Sequence, residues 1–197
     1  IKGNIFGPTP TGTAALLQDG ASTPMQSGGS CNGGTARCQR YGLYISDCDD
    51  CIVGGDRSVG TGALGEGNLF SGNWEAGIVS SNNPTTTTVF SGNICGLDIT
   101  GTTLMCNNAV DPDPQSYGMK ILGGLTDATA TIGGNTIDKA NIFSGNDLIG
   151  IYHSASTTSY SYIGNICGLQ IDGTSMVASN PQTIGMQIEN SGSHFIG

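Results

Sequence analysis

Four of the seven cysteines lie close together in the chain, with the spacing C-x6-C-x9-C-x2-C. Four thiolates can hold a zinc ion, but zinc sites usually contain two short CxxC knuckles, and only Cys48-Asp49-Asp50-Cys51 has that form. The spacing therefore favours two disulfides that pin a surface loop, with zinc as the alternative, and it leaves the pairing open. The disulfide candidates are Cys31, Cys38, Cys48 and Cys51.

Acidic residues form two short clusters, one in SDCDDC and one in VDPDP. Carboxylate oxygens are the ligands that Ca²⁺ prefers, so both clusters are weak candidates for a calcium site, and no other cofactor is indicated. Neither cluster has the Gly and Glu spacing of an EF-hand loop, and a solvated acidic turn is the simpler interpretation. The calcium candidates are Asp47, Asp49, Asp50, Asp111 and Asp113.

The sequence predicts no catalytic residue. A glycosidase needs two carboxyl groups that flank one bond, and a polysaccharide lyase would need acidic calcium ligands beside an Arg or Lys base. Of the six cationic residues only Lys120 lies in a strand-like phrase, GMKIL. His153 and His194 are interpreted as surface or turn histidines, and Trp74 as a single exposed aromatic that can stack on a sugar.

Charge and composition exclude some partners. The net charge is −9, with only six Lys and Arg, which argues against binding to nucleic acid or to an anionic membrane surface. No apolar run approaches the ~18 residues of a transmembrane helix. Seven cysteines in a Gly-rich chain of low charge predict an oxidising, extracellular setting. The odd count leaves one thiol over, for which Cys106 is the best candidate.

Short phrases recur along the chain in one cyclic order. NLFSGN at 68–73 returns as NIFSGN at 141–146, which is 73 positions later (141 − 68). A second phrase occurs three times, as GNIFGPTPTGT from Gly3, GNICGLDITGT from Gly92 and GNICGLQIDGT from Gly164. Recurrence of this kind is typical of solenoid proteins, in which each unit buries its apolar face only against its neighbours.

The apolar units within each cycle are only two to four residues long and are bounded by Gly or Asn. This pattern favours short strands over helices, and it predicts a parallel β-solenoid with roughly 20 residues per coil and three or four coils per cycle. A β-sandwich of long hairpins is the structural alternative. In the solenoid, asparagines would stack up the column, and equivalent inward positions would be filled by Phe6, Phe70, Cys95, Phe143 and Cys167.

The phrases CIVGG, GALGEGNLFSGN, AGI and TTVFSGNICGLDITGT resemble the arrays NTIGG, GAGNVISGN, GI and TVQGNYIGTDATGT of secreted bacterial repeat proteins. The resemblance covers nearly the whole chain. It implies an all-β fold, the right-handed parallel β-helix of the pectate-lyase-like superfamily. That superfamily includes polysaccharide lyases and hydrolases, tailspikes, adhesins and structural fibres, so the resemblance implies no single activity.

The chain is expected to be one β-helix segment, 1–197, with a single insert at about 20–40 that has no counterpart in the other cycles. Because the pattern begins and stops within a cycle, we expect either part of a longer chain or a unit whose ends self-associate. The function expected is that of an extracellular structural or adhesive solenoid in a surface fibre or filament. The alternative is a carbohydrate-active β-helix: a polysaccharide lyase or hydrolase, or a sugar-binding module.

Overall fold

A computed structural model describes residues 1–13, 39–46, 48–81, 87–105, 114–123, 129–154, 159–189 and 193–197. These residues form fifteen β-strands and no helix. Three strands follow one another in each turn of the chain, and every strand pairs in parallel with the equivalent strand of the next turn. The fold is a right-handed parallel β-helix of five coils, as the sequence predicted.

The fifteen strands are divided among three sheets of five. Sheet one contains β1 (Ile5–Phe6), β4 (Leu69–Phe70), β7 (Ile94–Cys95), β10 (Ile142–Phe143) and β13 (Ile166–Cys167). Sheet two contains β2 (Tyr41–Ser46), β5 (Ala76–Ser81), β8 (Tyr117–Leu122), β11 (Ile149–Ser154) and β14 (Ile184–Glu189). Sheet three contains β3 (Ile52–Gly54), β6 (Thr88–Ser91), β9 (Thr129–Gly133), β12 (Ser159–Ile163) and β15 (His194–Ile196).

The 73-residue cycle corresponds to two coils. Leu69 pairs with Ile94, and Ile94 pairs with Ile142, so one coil takes 25 residues (94 − 69) and the next takes 48 (142 − 94). The shorter coil is close to the predicted length. The prediction of three or four coils per cycle is wrong, because the longer coil includes loops that lie outside the three sheets.

Two kinds of coil alternate along the column. Coils one, three and five leave sheet one through a loop, as in 97–104 and 169–177, and we call them loop coils. Coils two and four turn directly into sheet two through the F-S-G-N corner, and we call them corner coils. The loops pack against the outside of sheet one and cover a second hydrophobic cluster there, which includes Leu69, Ile94 and Ile142.

An aspartate organises the loops of coils three and five. Asp98 Oδ1 accepts hydrogen bonds from the backbone N–H groups of Thr102 and Thr103, at 3.2 and 3.1 Å. Asp172 does the same for Thr174 and Ser175 in coil five, both at 2.8 Å. Hydrogen bonds from Ser175 lower the pKa of Asp172 to about 2, so this carboxylate has a structural role.

Each strand of sheet one contributes one side chain to the inside of the column. Phe6, Phe70, Cys95, Phe143 and Cys167 all pack into this core, which confirms the predicted column of equivalent residues. The rings of Phe6 and Phe70 stack with their centroids 4.8 Å apart. The thiols of Cys95 and Cys167 are free, and burial raises the pKa of both, so they act as small apolar side chains.

A ladder of asparagines, one per coil, precedes sheet one. Each side-chain amide donates to the Oδ1 atom of the next member, at 2.9–3.2 Å, which confirms the predicted stacking. The ladder consists of Asn4, Asn68, Asn93, Asn141 and Asn165. The same amides also donate to backbone carbonyls inside the column, such as Asn141 Nδ2 to Phe90 O at 2.8 Å. The ladder therefore satisfies buried backbone groups that the corners would otherwise leave unpaired.

A disulfide joins Cys48 to Cys51 and closes the corner between β2 and β3. This bond agrees with the disulfide interpretation of the CxxC pair. Several other sequence predictions lie outside the described residues, namely those for Cys31, Cys38, Cys106, Asp47, Asp111, Asp113 and most of the insert at 20–40.

Candidate functional site

The outer face of sheet two carries a group of charged and aromatic side chains. Side chains alternate along its strands, so that Ile and Met point into the column and every second position points outward. One outward position forms a register across all five strands. In chain order its members are Tyr44, Val79, Lys120, Tyr152 and Gln187.

A charged centre lies in the middle of this face. Glu75 is within hydrogen-bonding distance of Arg40 Nε at 2.6 Å and of Lys120 Nζ at 2.7 Å. Glu75 and Lys120 are each only 15% exposed, whereas Arg40 is 60% exposed. Burial raises the pKa of Glu75, but the hydrogen bonds from Lys120 and Arg40 outweigh it and leave the pKa lowered. Glu75 therefore stays ionised near neutral pH and is a poor proton donor.

Aromatic rings surround the charged centre on both sides. The Arg40 guanidinium lies 4.9 Å from the ring centroid of Tyr41 and 5.8 Å from that of Trp74. Lys120 Nζ lies 4.6 Å from the centroid of Tyr117. These contacts are cation–π interactions, which hold the rings and the cations in fixed relative positions.

Further tyrosines extend this arrangement along the column. The Tyr117 ring is 5.7 Å from that of Tyr152, whose hydroxyl donates to Glu189 at 2.8 Å. Tyr44, which is 54% exposed, lies 5.8 Å from Tyr41. We call this surface the aromatic face, and its members are Arg40, Tyr41, Tyr44, Trp74, Glu75, Tyr117, Lys120 and Tyr152.

The aromatic face spans coils one to four. Adjacent strands of a sheet are about 4.8 Å apart, so the face extends over roughly 14 Å along the column. It presents flat rings, two cations and one carboxylate within a single strip on the outside of sheet two, where most of the side chains are half-buried. Such a combination suits a ligand that has both apolar faces and many hydroxyl groups.

The tyrosines of the aromatic face were not singled out from the sequence. Trp74 was interpreted as an isolated aromatic, but the cation of Arg40 connects it to Tyr41 in the neighbouring coil. The signal was present in the strand phrases YGLYIS and YGMKIL, whose first and fourth residues contact each other in the structure, although simple alternation would place them on opposite faces. Alignment of these phrases by strand register would have brought the rings together.

The described residues contain no arrangement of side chains that supports the calcium or the lyase hypothesis. Asp49 and Asp50 lie in the turn closed by the disulfide. No group of three or more His, Cys, Asp or Glu side chains that could hold a metal ion occurs in the described part of the chain. Lys120 lies on the aromatic face, where its partner is Glu75.

The interior also contains a cluster of His and Tyr side chains that the sequence did not predict. His153 is fully buried, its Nδ1 is 2.6 Å from the Tyr162 hydroxyl, and its ring contacts those of Tyr160 and His194. The interpretation of His153 as a surface histidine is therefore wrong. The reason is register: His153 pairs with Ile121 and Ile188, which both point into the column.

We expect the stability of the protein to fall between about pH 6.5 and pH 4 because of His153. Burial, together with the nearby His194, lowers the pKa of His153 to about 4, so the unfolded chain takes up this proton at higher pH than the folded chain. The loss should be on the order of 3 kcal/mol. It is measured by urea unfolding at pH 7 and pH 4.5.

The matched control for this measurement is His153→Gln, which keeps hydrogen-bonding groups but cannot be protonated. His194, Tyr160, Tyr162 and all carboxylates remain in both proteins, so the difference between them isolates His153. Equal losses of stability in the variant and in the wild type would show that His153 is not responsible.

The fold and the aromatic face together define the class of protein: a right-handed parallel β-helix with an ion-paired aromatic surface along one sheet. No helix long and apolar enough to cross a bilayer occurs in the described residues. Comparison of the chain with protein family models, with curated proteins and with solved structures finds no match.

Proposed function

We propose that this chain is an adhesive segment of an extracellular β-solenoid of the pectate-lyase-like kind, part of a surface fibre, and that it binds carbohydrate through the aromatic face. The coil repeat and the Cys48–Cys51 disulfide support a rigid protein of an oxidising compartment. Among the described strands, those of coils one and five each have one edge without a neighbouring strand, and this supports association with further coils along the same axis.

The single observation that carries the proposal is the aromatic face itself. Its rings offer apolar surfaces on which the C–H faces of sugars can lie, because aromatic side chains combine a large apolar area with a fixed orientation. Glu75, Arg40 and Lys120 offer acceptors and donors for sugar hydroxyls within the same strip. The strip is open along the column, as a linear chain of sugars would require.

Binding is better supported than cleavage. A glycosidase needs one carboxyl group with a raised pKa as its general acid, and the pKa of Glu75 is lowered. Glu189, the other acidic residue in contact with this surface, accepts a hydrogen bond from Tyr152. We therefore favour a sugar-binding solenoid over the lyase or hydrolase alternative.

Affinity electrophoresis through gels that contain bacterial and plant polysaccharides tests the proposal. We expect retardation in at least one polysaccharide, and we expect Trp74→Ala and Tyr117→Ala each to weaken it about 10-fold, since an aromatic contact is worth about 1 kcal/mol or somewhat more. The control is Phe195→Ala, which removes a ring that is 61% exposed on sheet three.

The proposal fails if no polysaccharide retards the protein, or if Trp74→Ala and Phe195→Ala behave alike. Release of reducing ends or of unsaturated sugars from a polysaccharide would favour the enzymatic alternative instead.

A further inference from the structure

Loop coil three and corner coil four fit together through a close contact. The loop of coil three overhangs coil four, where Gly145 of the F-S-G-N corner lies beneath Leu97 and Leu104. A methyl group at Gly145 would lie 2.7 Å from Leu104 Cδ1 and 2.9 Å from Leu97 Cδ2. The corner fits beneath the loop only because residue 145 has no side chain. This close fit leaves Leu97 fully buried.

Coil five has the same overhang, but none of the described residues lies beneath it. An antiparallel bridge joins Leu169 to Met176, just as another joins Leu97 to Leu104 in coil three. Met176 is nevertheless 78% exposed. The overhang of coil five is therefore an apolar half-socket that faces away from the column.

The backbone beside the half-socket shows the same difference between coil three, which is covered, and coil five, which is open. A methyl group at Gly96 in coil three would collide with Ser144 O and lie 2.8 Å from Asn146 Oδ1, both in the F-S-G-N corner of coil four. At the equivalent Gly168 the nearest atom outside its chain neighbours is Asn180 Nδ2, which belongs to the same coil. The space that a corner fills against coil three is open against coil five.

A second ladder of side-chain amides ends at the exposed face of coil five. Asn73, Gln115, Asn146 and Gln182 are joined in sequence by side-chain hydrogen bonds of 3.0–3.2 Å. Asparagine occupies the corner coils and glutamine the loop coils. Gln115 donates to Asn146 of the next corner coil at 3.0 Å, whereas Gln182 is the last member of the ladder in coil five.

We propose that the exposed face of coil five is a docking site for a corner coil: a β-helical coil whose first strand and corner read N-[L/I]-F-S-G-N. Its glycine would lie beneath Leu169 and Met176, and its final asparagine would accept from Gln182. The contact would continue the interface that already joins coils three and four.

A loop coil such as coil one does not satisfy the site. Loops of successive loop coils already touch across the corner coil between them, through Ile99 N to Gly12 O and Ile171 N to Gly101 O, both 2.9 Å. Each loop therefore spans the height of two coils along the column. A loop coil placed directly on coil five would occupy the same space as the overhang of coil five.

Extension of the full chain tests this assignment. Residues 134–163, which contain corner coil four and its approach, are added after Gly197. We expect the melting temperature to rise by about 5 °C or more, since solenoid stability grows with each coil interface. Amide hydrogen exchange in β13, β14 and β15 should slow by at least ~10-fold.

Two matched extensions act as controls. In one, the added copy carries Gly145→Val, and in the other the added segment is loop coil 164–197; neither should raise the melting temperature. Equal stabilisation by either control overturns the proposal, as do head-to-tail dimers of the unextended chain in sedimentation. Glycan binding uses a different surface, so its failure would leave this result unchanged.

Discussion

Asn141→Ala is expected to destabilise the protein by about 3–5 kcal/mol, because its side chain makes four hydrogen bonds, three of them buried. Asn141 Nδ2 donates to Phe90 O at 2.8 Å and to Asn165 Oδ1 at 3.1 Å. Its Oδ1 accepts from the backbone N–H and the side chain of Asn93, both at 3.0 Å. Alanine would leave Phe90 O and Asn93 N–H buried without partners. Urea unfolding of the variant and the wild type measures the loss as a shift of the midpoint, with the m-value unchanged.

Asn4→Ala is the control, since Asn4 occupies the exposed end of the same ladder. Its amide donates to Lys2 O and Asn68 Oδ1, where water can replace it, so a loss of about 1 kcal/mol or less is expected. If both substitutions had the same cost, the ladder would not act by satisfying buried groups, and its stacking would be incidental to stability.

The second large effect is expected at Gly133, at the end of β9. Its φ of +98° is one that side-chain-bearing residues rarely adopt. A methyl group there would collide with Ile163 O and lie 2.8 Å from Asn165 Oδ1. Because the obstructing atom is backbone, β9 and β12 would have to separate. We expect Gly133→Ala to lower stability by more than ~3 kcal/mol, as measured by thermal melting and urea unfolding.

Gly62→Ala is the matched control. Nothing lies within 4 Å of the position that its methyl group would take, so the change should stay within about 0.5 kcal/mol of the wild type. A similar loss at both positions would mean that glycine acts through the unfolded chain rather than through the close approach of two coils.

The outline of the fold was predictable because each coil repeats the same local chemistry. Phe70 and Phe143 are buried at equivalent positions, and the aligned phrases alone placed them there. The number of coils per cycle was not predictable. A loop that leaves the sheets looks, in sequence, like further Gly- and Asn-bounded strands, so 97–104 could not be distinguished from a coil of its own.

The candidate site was predictable only in part. Trp74 and Lys120 were noticed as individual residues, but the contact of both with one ion-paired centre depends on Arg40 and Glu75 in neighbouring coils. Residues 40, 75 and 120 are separated by 35 and 45 positions (75 − 40 and 120 − 75), and loops of different length cause that difference. The separation of two residues in the sequence therefore does not indicate how far apart they lie on the aromatic face.

The sequence by itself determined that this protein is a β-solenoid with asparagine-lined corners and apolar columns, because those properties arise from short-range alternation and repetition. Only the tertiary structure decided which outward side chains meet, that His153 is buried, and that loop coils alternate with corner coils. Each of these depends on the register between coils, and register is a property of stacked strands rather than of neighbouring residues.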